Sequence, residues 1–152
     1  MKLVVDANIV FSAIVRSSRT RELLFYPSLE LYSPESLFEE LEEHKPEILQ
    51  KSGLQEKEFY VFLSAFRKII EVVPKTAYSE YLTEAGAVID DIDDLPFAAL
   101  AIALSAHKGK LGGGDCGIWS GDKDFLRKEG ELFRKFGVKV FTTQRLFELM
   151  KK

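Results

Sequence analysis

Residues 3–9 of the chain read Leu-Val-Val-Asp-Ala-Asn-Ile, and this stretch decides the predicted fold. Its first three residues are apolar, which predicts a short strand buried on both faces, and the strand ends at Asp6. A helical spacing of apolar residues follows at once, so the stretch predicts a strand that leads directly into a helix. A buried carboxylate is costly without a partner, and a compensating cation is therefore expected near Asp6.

The alternation of strand and helix patterns continues along the rest of the chain. Further strands are predicted at residues 29–32, 72–74 (an edge strand), 117–120 and 138–141. Helices are predicted at residues 8–15, 20–26, 34–50, 55–70, 78–87, 95–106 and 143–150. Because strands separated by helices pair in parallel, the sequence predicts an α/β fold, a three-layer α/β/α sandwich with a central parallel sheet. Residues 1–152 are expected to form a single domain, since no repeat or linker interrupts the pattern.

Some element boundaries are predicted in more detail. Ser33 is expected to cap the helix after the second strand, with Pro34 at the first helical position, and that helix is expected to end near Gln50. The segment 95–106 leaves no polar face and predicts a helix that is buried all round. Residues 108–117 are rich in glycine and predict a loop.

Composition and charge exclude several classes of protein. Hydrophobic residues make up 46% of the chain and charged residues 30%, an ordinary globular balance, and the formal net charge of −3 excludes a histone-like polycation. No apolar run approaches the roughly 18 residues needed to cross a bilayer, so no membrane contact is expected. Cys116 is the single cysteine and cannot form an internal disulfide, which predicts a reducing, cytoplasmic location.

Acidic side chains lie at predicted strand ends or in the adjoining turns at three places, and Glu39 and Glu40 lie about two turns inside the helix after the second strand. In open α/β sheets the functional site lies beyond the carboxyl ends of the strands, which is the edge that the first three places share. Taken singly, each acid could equally be a surface residue, a helix cap or a turn residue. The candidates are Asp6, Glu39 or Glu40, Asp93 or Asp94, and Asp122.

Convergence of one acid from each place would require a countercharge. Two carboxylates about 5 Å apart repel by roughly 3 kcal/mol at an effective dielectric constant near 20. A hard cation such as Mg²⁺ or Mn²⁺ relieves this repulsion and prefers carboxylate and water oxygens. Such an ion can orient a water molecule and stabilise charge on a phosphoryl group. An all-carboxylate site without histidine therefore predicts phosphodiester or phosphoryl chemistry.

Four segments resemble the four acidic motifs of PIN domains, in the family's order and over nearly the whole chain. The segments are Val4-Val5-Asp6-Ala7-Asn8-Ile9, Glu39-Glu40-Leu41, Asp94-Leu95-Pro96-Phe97-Ala98-Ala99-Leu100-Ala101 and Trp119-Ser120-Gly121-Asp122-Lys123-Asp124-Phe125. PIN domains are metal-dependent ribonucleases, and many small prokaryotic members are VapC-like toxins of toxin–antitoxin pairs. The resemblance implies a PIN-like fold, a Mg²⁺- or Mn²⁺-dependent endoribonuclease acting on RNA, and an antitoxin protein as a partner.

The resemblance also implies roles for individual residues. By their positions in the motifs, the catalytic and metal-binding acids would be Asp6, Glu40, Asp94 and Asp122. Glu39 adjoins Glu40 and is the alternative second acid, and Asp124 is a candidate auxiliary acid. Hydrolysis by metal-activated water would leave a 5′-phosphate and a 3′-hydroxyl.

Two further expectations concern binding surfaces. Small PIN proteins usually pair, which implies a homodimer, and we expect its contacts to come from the helices between Pro34 and Ile70. Basic residues near the motifs are candidates for contacts with RNA phosphates, or are surface charges. These residues are Arg16, Arg19, Arg21, Lys108, Lys110, Lys123 and Arg127.

Two other functions fit parts of the pattern. A haloacid-dehalogenase-like phosphatase also places an aspartate after the first strand and a Gly-Asp pair later in the chain. Its chemistry needs a second aspartate two residues beyond the first, and this chain has Asn8 there. The non-enzymatic alternative is a non-catalytic PIN-like module that binds a partner protein, and the presence of all four acids argues against it.

Overall fold

The computed structural model describes residues 1–16, 18–106 and 116–151. In this part of the chain, five parallel strands form one sheet in the order β3-β2-β1-β4-β5. The strands are β1 (Lys2–Val5), β2 (Glu30–Pro34), β3 (Ile70–Val73), β4 (Cys116–Trp119) and β5 (Lys139–Phe141). The helices are α1 (Ala7–Val15), α2 (Ser18–Leu24), α3 (Leu37–Glu43), α4 (Lys45–Ser52), α5 (Glu56–Ile69), α6 (Leu82–Gly86), α7 (Leu95–Ser105), α8 (Lys123–Arg127), α9 (Glu129–Phe136) and α10 (Thr143–Lys151).

Helices cover both faces of the sheet, because successive side chains of a strand point to opposite sides. Leu3, Val5 and Trp119 pack into one core with α1–α5 and α10. Val4 and Ile118 pack into a second core with α6–α9. All five side chains are fully buried. The predicted three-layer α/β/α sandwich with a central parallel sheet is therefore confirmed.

The direction of strand addition reverses between β1 and β4. The chain first adds β2 and β3 on one side of β1 and then places β4 and β5 on the other side. In open α/β sheets such a switch point leaves a crevice beyond the carboxyl ends of the strands, where ligands bind. Asp6 directly follows β1 and Ser120 directly follows β4, so both residues lie at this crevice.

Helix α7 is the fully buried helix that the sequence predicts. Every residue from Phe97 to Leu104 is buried, and the alanines among them let the helix approach the sheet closely. Pro96 lies in the first turn, where its missing N–H leaves no bond unmade. Burial on all sides fixes the position of the helix N-terminus, where Asp94 is the cap residue.

The segment after β2 differs from the prediction. The strand continues through Pro34 and the helix begins only at Leu37, so the predictions of Ser33 as a cap and Pro34 as the first helical residue are wrong. Ser33 Oγ instead donates a 3.3 Å hydrogen bond to the carbonyl oxygen of Val5. The residue types suit a helix start, but pairing of Ser33 and Pro34 with Val72 and Val73 of β3 extends the strand.

The helix predicted to end near Gln50 is in fact two helices. The first ends at Glu43 and the second begins at Lys45, with Pro46 in its first turn. Proline cannot donate the backbone bond that a continuous helix would need at this position, which explains the break.

Two other segments are partly as predicted. Residues 78–87 contain a 3₁₀ turn, Ser79–Tyr81, before α6 begins. The glycine-rich loop predicted at 108–117 lies mostly outside the described residues. Its last residue, Gly117, belongs to β4, where an added Cβ would lie 2.7 Å from the ring of Phe141. Among the described helices, none combines the length and the apolar character that crossing a bilayer demands.

Candidate active site

Asp6 is held at the end of β1 by contacts with the turn after β4. Its backbone N–H donates to the carbonyl oxygen of Trp119 at 3.1 Å, and Ser120 Oγ donates to its Oδ2 at 2.7 Å. Only 5% of the residue is exposed. Burial raises the pKa of Asp6, and the Ser120 hydrogen bond offsets part of that rise. The carboxylate is thus fixed in place and largely removed from water.

Hydrogen bonds also organise the turn after β4. Ser120 Oγ accepts from the backbone N–H of Asp122 at 2.9 Å while it donates to Asp6. Asp122 caps α8, since its Oδ1 accepts from the backbone N–H of Asp124 at 2.8 Å. Asp124 Oδ1 in turn accepts from Arg127 Nη2 at 2.7 Å. One hydroxyl therefore connects the two strand ends that carry Asp6 and Asp122.

Asp94 occupies the cap position of α7 without acting as a cap. Within the described part of the chain, its side chain makes no capping hydrogen bond and its buried Oδ2 has no partner. The residue is 8% exposed. Burial, and then repulsion by carboxylates that include Asp122 and Asp6, raises the pKa of Asp94 to about 7. A buried polar oxygen without a partner is destabilising, so this position favours a proton or a cation.

Glu40 enters the site from the first turn of α3. Glu40 is half-buried whereas the adjacent Glu39 is exposed. Ser36 Oγ donates to Glu40 Oε1 at 3.4 Å. Burial, followed by the negative charge of Asp6, raises the pKa of Glu40. Of the two adjacent acids, Glu40 is therefore the one that lies near Asp6.

The four predicted acids lie around the crevice, but among the described residues only Asp94 of the four belongs to a group of acids whose ligand oxygens all lie within 4.8 Å of one another. Asp6, Asp94 and Asp122 lie close enough that their negative charges act on one another, and Glu40 joins them through Asp6. Among the described residues, the ion pairs leave these acids without a cation. The site therefore carries a concentrated negative charge that the described chain does not neutralise.

A second grouping of acids was only partly anticipated. One oxygen each from Asp91, Asp94 and Asp124 lie within 4.8 Å of one another, a spacing that could hold a metal ion. Asp124 is the predicted auxiliary acid, and Asp91 is an alternative third acid if the motif register is shifted. Asp91 Oδ1 accepts from the backbone N–H of Asp93 at 3.0 Å, and this turn brings Asp91 back beside Asp94. An aspartate that begins a short turn before a helix is the sequence signal for this arrangement.

Two of the basic residues predicted to contact phosphate are engaged elsewhere. Arg21 Nε and Nη2 donate to the carbonyl oxygen of Ala13 at 3.0 and 2.8 Å. The guanidinium of Arg19 lies 4.2 Å from the ring centroid of Phe147. Arg127 pairs with an acid of the site itself. Lys108 and Lys110 are outside the described residues.

Comparisons with known proteins agree with this architecture. The family model described as PIN domain matches residues 4–148. Among solved structures, a chain from the crystal structure of VapBC2 from Rickettsia felis, bound to a DNA fragment from the promoter, is similar with a TM-score of 0.59. The two chains are 17% identical, and the alignment covers 93% of this chain and 98% of that one, so the likeness concerns the fold. No curated protein matches the sequence.

Proposed function

This chain belongs to the PIN domain family, and from that premise we propose that it is a ribonuclease that hydrolyses RNA phosphodiester bonds with Mg²⁺ or Mn²⁺. One observation carries the proposal. The buried Oδ2 of Asp94 has no hydrogen-bond partner in the described chain, and it belongs to a side chain surrounded by other carboxylates. A divalent cation would satisfy that oxygen and relieve the repulsion together.

The donor set fits a hard divalent cation. Every side chain at the centre of the site offers carboxylate oxygen, the ligand type that Mg²⁺ and Mn²⁺ prefer. The residues that would hold the ion are Asp6, Glu40, Asp94 and Asp122, with Asp91 and Asp124 as additional candidates. When bound, such an ion supplies an oriented water molecule and stabilises charge on the phosphoryl group.

Other residues of the site position these acids. Ser120 orients Asp6 and the backbone of Asp122 with one hydroxyl. The buried helix α7 fixes Asp94, and Ser36 contacts Glu40. With no cation present, Asp94 retains a proton near neutral pH, and this proton must leave before the carboxylate can act as a ligand.

Incubation of the purified protein with labelled single-stranded RNA tests the proposal. Fragments should form with Mg²⁺ or Mn²⁺, and EDTA should stop their formation. Asp122→Asn should abolish cleavage, whereas Asp90→Asn, which changes an exposed acid, should cleave like the wild type. Equal cleavage by Asp122→Asn would indicate a contaminating nuclease and would overturn the proposal.

The family match favours this interpretation over a haloacid-dehalogenase-like phosphatase, and the unpartnered buried oxygen of Asp94 favours it over a non-catalytic PIN-like module. We further propose that the chain is a VapC-like toxin with an antitoxin partner, acting on RNA in the cytoplasm. The likeness to a VapBC2 chain over 93% and 98% of the two lengths supports this. Expression of the wild-type chain in bacteria should arrest growth and Asp94→Asn should not. Normal growth at matched expression of both would contradict the toxin function.

A homodimer remains our expectation for the free protein. Helix α5 lies within the predicted segment between Pro34 and Ile70 and exposes the apolar side chains of Tyr60 and Val61. Burial of such side chains in a symmetric interface would stabilise a pair. Light scattering at micromolar concentration should give twice the mass of the chain, and a monomeric mass would contradict this.

A further inference from the structure

An apolar cavity of about 560 Å³ adjoins the acidic site on the side of β3. Its apolar lining residues are Tyr78, Leu82, Ile92, Leu95 and Pro96. Ile92 is 76% exposed, the highest value among the large apolar side chains of the described residues. Water contact with so much apolar surface is unfavourable, which makes Ile92 a suitable contact for an apolar or aromatic ligand.

The cavity is continuous with the site through residues that serve both. Ser36 lines the cavity and also donates to Glu40 at 3.4 Å. Ile92 and Leu95 line the cavity and flank Asp94 in the chain. If one phosphate of a nucleic acid strand lies at the acids, the adjoining nucleotide lies beside this cavity.

The charges around the cavity favour the base of that nucleotide over its phosphate. Glu35, Glu39 and Lys75 line the cavity, so two carboxylates and one ammonium group give a net negative lining that repels a phosphate. The two carboxylates accept hydrogen bonds from amino groups, as carboxylates do with the amino group of cytosine. Glu35 is also oriented, because its Oε1 accepts from the backbone N–H of Lys75 at 3.3 Å. Apolar walls with acceptors suit a base, and single-stranded RNA is recognised largely through unstacked bases.

We propose that this cavity binds the nucleobase next to the cleaved phosphate and favours bases that carry an amino group over uracil. The inference rests on the proposed ribonuclease function and specifies how such an enzyme selects its site. Tyr78, Ile92 and Leu95 contact the base, and Glu35 accepts its amino hydrogens. Glu35 is the specificity-determining residue in this arrangement and Ile92 is a base-binding residue, whereas the acids carry the chemistry.

Steady-state cleavage of short oligoadenylate and oligouridylate RNA with Mn²⁺ tests the proposal. Ile92→Ala should raise KM by about tenfold on oligoadenylate, the size of effect that loss of one base contact gives. The kcat should stay nearly constant because the acids are unchanged, and Ile92→Leu should restore KM. Glu35→Gln should reduce the preference for oligoadenylate. The control is Phe133→Ala, which removes a side chain 55% exposed on α9, beside the opposite sheet edge, and should leave KM unchanged.

An abasic nucleotide beside the cleavage position provides a second, independent readout. It should raise KM for the wild type but should not raise it further for Ile92→Ala, because the two changes remove the same contact. Cleavage by the wild type with unchanged KM in Ile92→Ala would overturn the cavity proposal and leave the ribonuclease proposal intact. Absence of cleavage by the wild type with either metal would instead overturn the ribonuclease proposal and this inference with it.

Discussion

The helices α7 and α8 both begin at an aspartate of the site, and the two aspartates behave differently. Asp122 caps α8 by accepting from the backbone N–H of Asp124 at 2.8 Å. Asp94 makes no capping bond to α7, and its buried Oδ2 has no partner in the described residues. An aspartate at the start of α8 therefore caps that helix. The aspartate at the start of α7 instead leaves its carboxylate available for a ligand.

Burial explains why α7 tolerates this arrangement. A side-chain cap typically contributes about 1 kcal/mol to a helix, which α7 forgoes. Its residues from Phe97 to Leu104 are all buried against the sheet and neighbouring helices. Each fully buried large apolar side chain contributes about 1.5–3 kcal/mol, so packing determines the stability and position of this helix. The N-terminus of α7 is therefore rigid even though its cap position is unused.

Replacement of Asp94 should give the largest effect of any change at the two helix starts. Asp94→Asn should reduce RNA cleavage by more than about a hundredfold, since even changes behind a metal ligand cost up to that much. The variant should unfold at the same or a higher temperature without metal, because no cap bond is lost and repulsion decreases. Cleavage rates and thermal melts of Asp94→Asn and Asp90→Asn check this. If Asp90→Asn loses activity and Asp94→Asn retains it, the assignment of Asp94 as the third acid is wrong.

Replacement of Ser120 tests the start of α8, where hydrogen bonds hold Asp6 and Asp122 in place. Ser120→Ala removes the donor to Asp6 and the acceptor for the backbone of Asp122, so cleavage should fall about 10- to 100-fold. The free energy of unfolding should fall by about 1–3 kcal/mol, because the buried Asp6 loses the Ser120 hydrogen bond and keeps only its backbone partners at Ala7 and Asn8. Ser120→Thr keeps the hydroxyl and should recover most of both. Unchanged Mn²⁺ affinity in Ser120→Ala would contradict a positioning function.

Several features of the fold could be predicted from the sequence. Short apolar strands, the all-apolar segment 95–106 and acids at strand ends predicted the sheet, the buried helix and the convergence of Asp6, Asp94 and Asp122. The sheet and the buried helix are confirmed, because burial on both faces of a strand or on all sides of a helix leaves an uninterrupted apolar run in the sequence. The assignment of the site acids stays a prediction.

Other parts depend on geometry that the residue types do not specify. Ser33 and Pro34 have the composition of a helix start, yet pairing with β3 extends β2 through them. The choice between Glu39 and Glu40 depends on the helix phase, which is set by a start at Leu37. The proximity of Asp91 to Asp94 depends on the path of a short 3₁₀ turn, which the aspartates at residues 91–94 favour without specifying that path.

The stability of the protein without metal should also depend on pH. The pKa of Asp94 is raised from 3.8 to about 7, and the pKa values of Asp6 and Glu40 are raised as well, mainly by burial. The folded state then binds protons more tightly than the unfolded state, so stability decreases as pH rises from about 4 to about 7. Melting temperatures in EDTA should fall across this range, and fall less for Asp94→Asn. Equal slopes for the two proteins would contradict a raised pKa at Asp94.

Calorimetric titration with Mn²⁺ tests most directly whether the free carboxylate at α7 holds a metal ion. The wild type and Asp90→Asn should bind Mn²⁺ with equal affinity and release protons near neutral pH as Asp94 ionises. Asp94→Asn should bind at least about tenfold more weakly and release fewer protons, because an amide is a poor ligand for a hard cation. Equal Mn²⁺ affinity and equal proton release in all three proteins would contradict the assignment of Asp94 as a ligand.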